Sequence, residues 1–167
     1  MTLHRHGTTV IEFPGALEIL TTRTFNAPVE LVYDVLTKPE HIRHYFCPFD
    51  ETMTVCDVDL RVGGAYHYVM VTKDGKECSF RGTFLELERP NRIVDTWLFE
   101  GWPDADAVET VILEETDGMT TIKVNLAFRD QAGRDHMDRF DGQEGSWDHM
   151  EDYLASLLGQ QDPVPGR

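Results

Sequence analysis

The sequence predicts an α+β domain in which an antiparallel sheet closes over a long C-terminal helix. Three observations carry this reading. A run of strand-like segments joined by short turns fills residues 51–129, two short helical patterns precede it, and a long helical pattern follows it. A chain of 167 residues fits one domain and buries a sizeable core.

Leu17 to Phe25 is rich in β-branched residues and ends at Asn26-Ala27-Pro28, so it reads as the first firm strand. Residues 1–16 read as a tail or a short edge strand, Thr8 to Phe13, closed by Pro14-Gly15. Val29, Val32, Tyr33 and Leu36 recur at helical spacing over residues 28–37, with Pro28 in the first turn and Glu30 favouring the dipole. Thr37-Lys38-Pro39 breaks that helix, and Pro39 to Tyr45 reads as a second. Strands are expected at about 51–60, 65–72, 77–88, 92–100, 107–115 and 120–129. Arg61-Val62-Gly63-Gly64, Lys73-Asp74-Gly75 and Thr116-Asp117-Gly118 punctuate them, their glycines suited to positive φ. Short turns between successive strands make an antiparallel meander.

In the last strand Thr120, Ile122, Val124, Leu126 and Phe128 alternate with Thr121, Lys123 and Asn125, which calls for one covered face and one wet face. The cover is the helical pattern from Gly133 to Leu158, with Phe140, Trp147, Met150, Leu154, Leu157 and Leu158 near one stripe. Gly142 and Gly145 interrupt it, Gly159 reads as its C-cap, and residues 160–167 read as a tail. The domain itself spans 17–159.

Thirty acidic against fifteen basic residues give a formal net charge of −15 and no basic stripe, which makes nucleic acid and anionic membrane surfaces poor partners. No apolar run suits a signal peptide or a membrane span. Cys47, Cys56 and Cys78 are an odd set at irregular spacing, read as reduced thiols of a cytoplasmic protein.

Four stretches resemble the family related to the activator of heat-shock-protein-90 ATPase, a branch of the START-like, helix-grip superfamily. They are Thr22 to Pro28 with Leu31-Val32-Tyr33 and Lys38 to His41; Asp59 to Gly64 with Asp74-Gly75; Gly82 to Leu87 with Pro90 to Val94; and Glu144-Gly145-Ser146-Trp147 with Tyr153-Leu154 and Leu157-Leu158. Such proteins usually end the second short helix in a tryptophan pair before Gly-Pro. The matching stretch here is His44-Tyr45-Phe46-Cys47-Pro48, still aromatic but smaller and more polar. The resemblance implies a helix-grip sheet curved around the C-terminal helix, with a cavity between them. Phe46, Tyr66, Tyr68, Met70, Phe80, Trp97, Phe99, Trp147 and Met150 are the candidates to line it, as ligand-binding residues or as plain core.

Chemistry-bearing candidates are sparse. His41 and His44, with His67 or His149, have the residue types of a metal site but no supporting motif, and no metal or cofactor is expected. Asp148-His149 and Asp95 invite an acid–base reading, and Cys47 beside His44 a nucleophilic one, without the convergence either would need. Glu114-Glu115-Thr116-Asp117 reads as a solvated hairpin tip, and the Arg61 to Gly64 turn as structural. The expectation is a non-enzymatic domain enclosing a small hydrophobic or aromatic molecule (a lipid, a polyketide-like product or a toxic natural product). Tyr66, His67, Arg81 or Asp95 would orient it. A polyketide cyclase/dehydratase-like or hydrolytic enzyme and a chaperone-contacting module are the alternatives, and pairing of the Thr8–Phe13 edge leaves a homodimer open.

Overall fold

The computed structural model describes residues 2–6, 9–46, 52–100, 106–138 and 142–161, and side chains over 9–46, 52–100, 106–135 and 147–159. Three strands come first: β1 (Thr2–His6), β2 (Thr9–Glu12) and β3 (Glu18–Phe25). Two helices follow, α1 (Val29–Thr37) and α2 (Pro39–Tyr45). The meander comprises β4 (Thr52–Val58), β5 (Ala65–Val71), β6 (Glu77–Glu88), β7 (Arg92–Phe99), β8 (Ala107–Thr116) and β9 (Met119–Phe128). Helices α3 (Gln131–Asp138) and α4 (Gly142–Gln161) complete the chain. All strands join one antiparallel sheet in the order β1-β2-β3-β9-β8-β7-β6-β5-β4.

The start of the chain departs from the single edge strand expected there: β1 and β2 form a hairpin that widens the sheet beyond β3. The stretch expected to be helical from Gly133 to Leu158 is helical over Gln131–Asp138 and Gly142–Gln161, and residues 139–141 lie outside the described ones. Gly159 does not cap the last helix, which runs on to Gln161. An exposed glycine costs a helix only about 1 kcal/mol, and the glutamines after it are good helix formers.

Local chemistry explains the joints. Asp117 and Gly118 carry φ of 54° and 80°, the pair of positive values that a tight hairpin between β8 and β9 requires. The acidic run at that hairpin is not wholly solvated: the Val29 N–H donates to Glu115 Oε1 at 2.7 Å, so the hairpin supplies the N-terminal cap that Pro28 cannot give α1.

Alternation sorts the strands into two faces, and the helices cover one of them. Phe25, Leu113, Ile122 and Val124 of the sheet pack with Val32, Val35 and Ile42 of the first helices and Met150 and Leu154 of α4. Ile11, Ile19, Ala107, Leu126 and Phe128 form a smaller cluster, with Phe13 and Trp97 packed against it.

One polar contact pins α4 to this apolar face. Arg23, 2% exposed, donates from Nη1 to Asp148 Oδ1 at 2.7 Å and to Thr9 Oγ1 at 3.0 Å. Its Nη2 lies 3.3 Å from Glu151, and the guanidinium sits over the Phe25 ring at 5.4 Å. A buried guanidinium needs such partners because it has lost its water. Replacing Asp148 by alanine leaves Arg23 with the more exposed Glu151, so the Asp148→Ala variant should lose about 1–2 kcal/mol of stability, measured by chemical denaturation.

Candidate functional site

Cross-strand register places a distinct set of side chains on the covered face. Tyr66 faces Gly82, Tyr68 faces Phe80, Phe80 faces Phe99, and Asp95 faces Glu109 across neighbouring strands. Because successive residues point to opposite faces, each of these shares the covered face with its partners two positions away.

The aromatic candidates touch one another. Phe46 meets Tyr68 at 5.0 Å and Phe80 at 5.8 Å between ring centroids. Phe80 stacks on Phe99 at 5.1 Å and tilts against Trp97 at 5.6 Å. Tyr66 bridges Tyr68 and Phe84 at 5.0 and 5.6 Å. Met70 is buried further along β5, while Trp147 packs on Phe25 and Met150 is fully buried on α4. Two surface hollows adjoin these strands. One of about 380 Å³ lies among Tyr66, His67, Arg81, Gly82, Thr96 and Glu100, and one of about 480 Å³ among Trp97, Leu98, Asp106, Phe128 and Arg129.

Within the aromatic surface sits a pair of carboxyls. Asp95 is 3% exposed, and although part of the Glu109 residue reaches solvent, its carboxyl is enclosed by protein. The two face each other across β7 and β8 and act on one another. Burial and the neighbouring Glu109 push Asp95 from 3.8 up to about 10, and burial raises Glu109 as well. Two such acids share protons as a unit.

Tyr66 completes the grouping. Its hydroxyl lies 3.1 Å from Asp95 Oδ1 and donates to the Thr96 carbonyl at 2.8 Å. To reach β7 the phenol crosses over β6 at Gly82. A Cβ there would fall on the Thr96 carbonyl oxygen and 2.6 Å from the Tyr66 ring. Burial, Asp95 and Glu109 all raise the Tyr66 hydroxyl far above its ordinary range, so it stays a hydrogen-bonding neutral group.

Other candidates resolve differently. His67 and Arg81, expected to orient a ligand beside Tyr66 and Asp95, occupy the opposite face, because strand parity turns them outward. His67 lies 2.8 Å from Ser79 and Arg81 3.4 Å from Glu100. His41 Nδ1 is 2.6 Å from the Tyr153 hydroxyl and His44 stacks on that ring at 4.8 Å, so this pair ties α2 to α4. Among the described residues no three metal-ligating side chains converge. Asp148 serves Arg23, which separates it from Asp95 in role. Cys47 lies outside the described residues, while Cys56 is buried and free, its thiol pushed up by burial.

Glu109 escaped the sequence reading, although a signal was present. Ala107, Glu109, Val111 and Leu113 form one alternating set, so a strict period of two puts an acid among apolar neighbours. Ile93, Asp95, Trp97 and Phe99 repeat the pattern on the adjoining strand.

These features define a helix-grip, START-like domain, an antiparallel sheet holding a C-terminal helix against one face. More particularly, the chain belongs to the Activator of Hsp90 ATPase homolog 1-like family, whose pattern matches residues 26–159. A protein from Rhodobacter sphaeroides shares the fold with a TM-score of 0.81 at 22% identity, over 88% of this chain and 98% of that one. One from Nitrosomonas europaea gives 0.77 at 24% identity, over 87% and 99%. One from Staphylococcus epidermidis gives 0.71 at 27% identity, over 94% and 98%. Among curated proteins none matches the chain. No helix among the described residues is long and apolar enough to cross a membrane.

Two outcomes follow from the geometry. Between pH 3.8 and about 10 the native pair retains a proton that the unfolded chain has already released. The folded state therefore binds more protons in that window, and stability falls as pH rises through it. The unfolding temperature should drop by about 3 °C per pH unit on the alkaline side of neutrality, and the Asp95→Asn/Glu109→Gln double variant should flatten the slope. Gly82→Ala should cost about 1–3 kcal/mol and displace Tyr66, read by denaturation and near-ultraviolet circular dichroism.

Proposed function

We propose that the chain is a binding domain that takes a small hydrophobic or aromatic molecule between the covered face of the sheet and α4. The observation that supports this reading most directly is the continuous aromatic surface of Phe46, Tyr68, Phe80, Trp97 and Phe99, several of them half-buried. Partly covered aromatic surface beside a few buried polar groups is the usual composition of a small-molecule site: the apolar area supplies affinity and the polar groups supply orientation. Asp95 and Tyr66 take the orienting role in place of His67 and Arg81.

A second reading, an acid–base enzyme of the cyclase or dehydratase kind, is favoured by one specific feature. Asp95, Glu109 and Tyr66 converge, as a catalytic donor and acceptor would have to. Contact with a chaperone rests on the family's name alone.

Native mass spectrometry of the protein purified from its own host, with extraction of bound organic material, tests the first reading. An apolar compound at near-equimolar ratio is the expected result. An empty protein that also shows no thermal shift with a hydrophobic library would overturn it. For any compound recovered, Phe80→Ala should weaken binding about tenfold, and unchanged affinity in the folded variant would remove the aromatic surface from the site. Turnover of the compound, lost in Glu109→Gln, would establish the enzymatic reading.

A further inference from the structure

The covered face changes character near the turn between β5 and β6. Two positions beyond Tyr68 stands Met70, and two positions before Phe80 stands Cys78, so both point to the same face as the aromatic rings. β4 adds a third sulfur. A register shift between Met53 and Val55 accommodates one extra residue, which keeps Met53 on the face of Cys56. Met53 faces Met70, and Met70 faces Cys78, in one row across three adjacent strands.

Composition alone would rarely produce such a row, because the chain holds six methionines and three cysteines among 167 residues. Residues directly opposite in an antiparallel pair bring their β-carbons to about 4.5–5.5 Å. Met70, 5% exposed, lies at the centre, and Met53 and Cys78 flank it half-buried, Met53 against the main core cluster. Methionine turns about three side-chain bonds, so both thioethers have the reach to meet the Cys78 thiol. The half-burial of the outer two leaves a small ion a way in from solvent.

We propose that this row binds one soft monovalent cation, Cu(I), through the Cys78 thiolate and the thioethers of Met53 and Met70. Thiolate and thioether are soft donors, and together they select Cu(I) over the harder ions that carboxylates and carbonyls hold. No three of His, Cys, Asp and Glu converge among the described residues, so the thioethers are what completes the set. A single thiolate falls short of the four nitrogen, sulfur or oxygen ligands of a structural zinc site. Charge points the same way. One thiolate balances one Cu(I), which leaves the occupied site neutral among apolar neighbours, whereas a divalent ion would keep a buried positive charge. The thiol proton leaves for solvent as the copper–sulfur bond forms, and no electron is transferred. The site adjoins the aromatic surface but does not rest on the apolar-ligand reading, and either can fail alone.

The experiment titrates the full chain with Cu(I) under anaerobic reducing conditions, against the chromogenic chelator bicinchoninate. One Cu(I) per chain should be withdrawn from the chelator, and copper X-ray absorption should show a shell of three sulfurs. Met53→Leu and Met70→Leu conserve volume and should fold as the parent does. Loss of an outer-shell partner alone commonly weakens a metal site about 10–100-fold, so loss of either thioether should weaken Cu(I) binding at least about tenfold. Cys78→Ser should weaken it further, while a Cys47→Ser/Cys56→Ala variant should keep its affinity. The absorption spectrum of the unmodified protein decides the matter should a variant fail to fold. Copper left wholly on the chelator, or a shell with nitrogen, oxygen or fewer than three sulfurs, would overturn the assignment. Full affinity in both methionine variants would overturn it as well, by showing that thiols alone hold the ion.

Discussion

A two-residue alternation carried without a slip across β3, β9, β8 and β7 determines which side chains meet the helices. Each strand in that block pairs residue for residue, so Arg23, Ile122 and Leu113 fall in one row and Ile19, Leu126, Glu109 and Asp95 in another. A slip of one residue in any of these strands would turn its core residues to solvent and bury their polar neighbours. Apolar burial enforces the register, and the register then carries three charged residues, Arg23, Asp95 and Glu109, onto the covered face.

The sheet handles these charges in two ways. Arg23 is answered by Asp148 and Glu151 of α4, so its burial becomes a fastening between sheet and helix. Asp95 and Glu109 are answered by each other and by Tyr66, and the pair lowers its charge by a retained proton and not by an opposite charge. The first arrangement contributes to the architecture. The second holds ionisable groups in the neutral state that burial favours, away from their ordinary titration range, and such sites are where binding or chemistry is usually found.

Irregularities in the remaining strands shape the aromatic side of the face. Register shifts occur between Phe84 and Glu86 opposite β7 and between Met53 and Val55 opposite β5. Bulges of this kind bend and twist a sheet and re-aim its side chains. Gly82 leaves a gap that the Tyr66 phenol crosses to reach the Thr96 carbonyl. A β-carbon there would close the route by which Tyr66 meets Asp95.

The sequence by itself determined the architecture: period-two segments, turn residues with glycine at positive φ, and a helical cover for the one-sided last strand follow from local preference and burial. It offered a set of aromatic candidates without fixing which of them face the helices, because bulges can change strand parity. It missed the β1 hairpin and the continuation of α4 through Gly159, where terminal signals are weak and competing conformations differ by about 1 kcal/mol. It offered His67 and Arg81, which turn outward, beside Tyr66 and Asp95 as groups to orient a ligand, and it overlooked Glu109. Only the tertiary structure decided that Asp95 and Glu109 meet, that Tyr66 reaches them over Gly82, and that Asp148 belongs to Arg23. The physical reason is that these contacts join residues 14 to 125 positions apart, and cross-strand register and helix docking, which no local pattern encodes, bring them together.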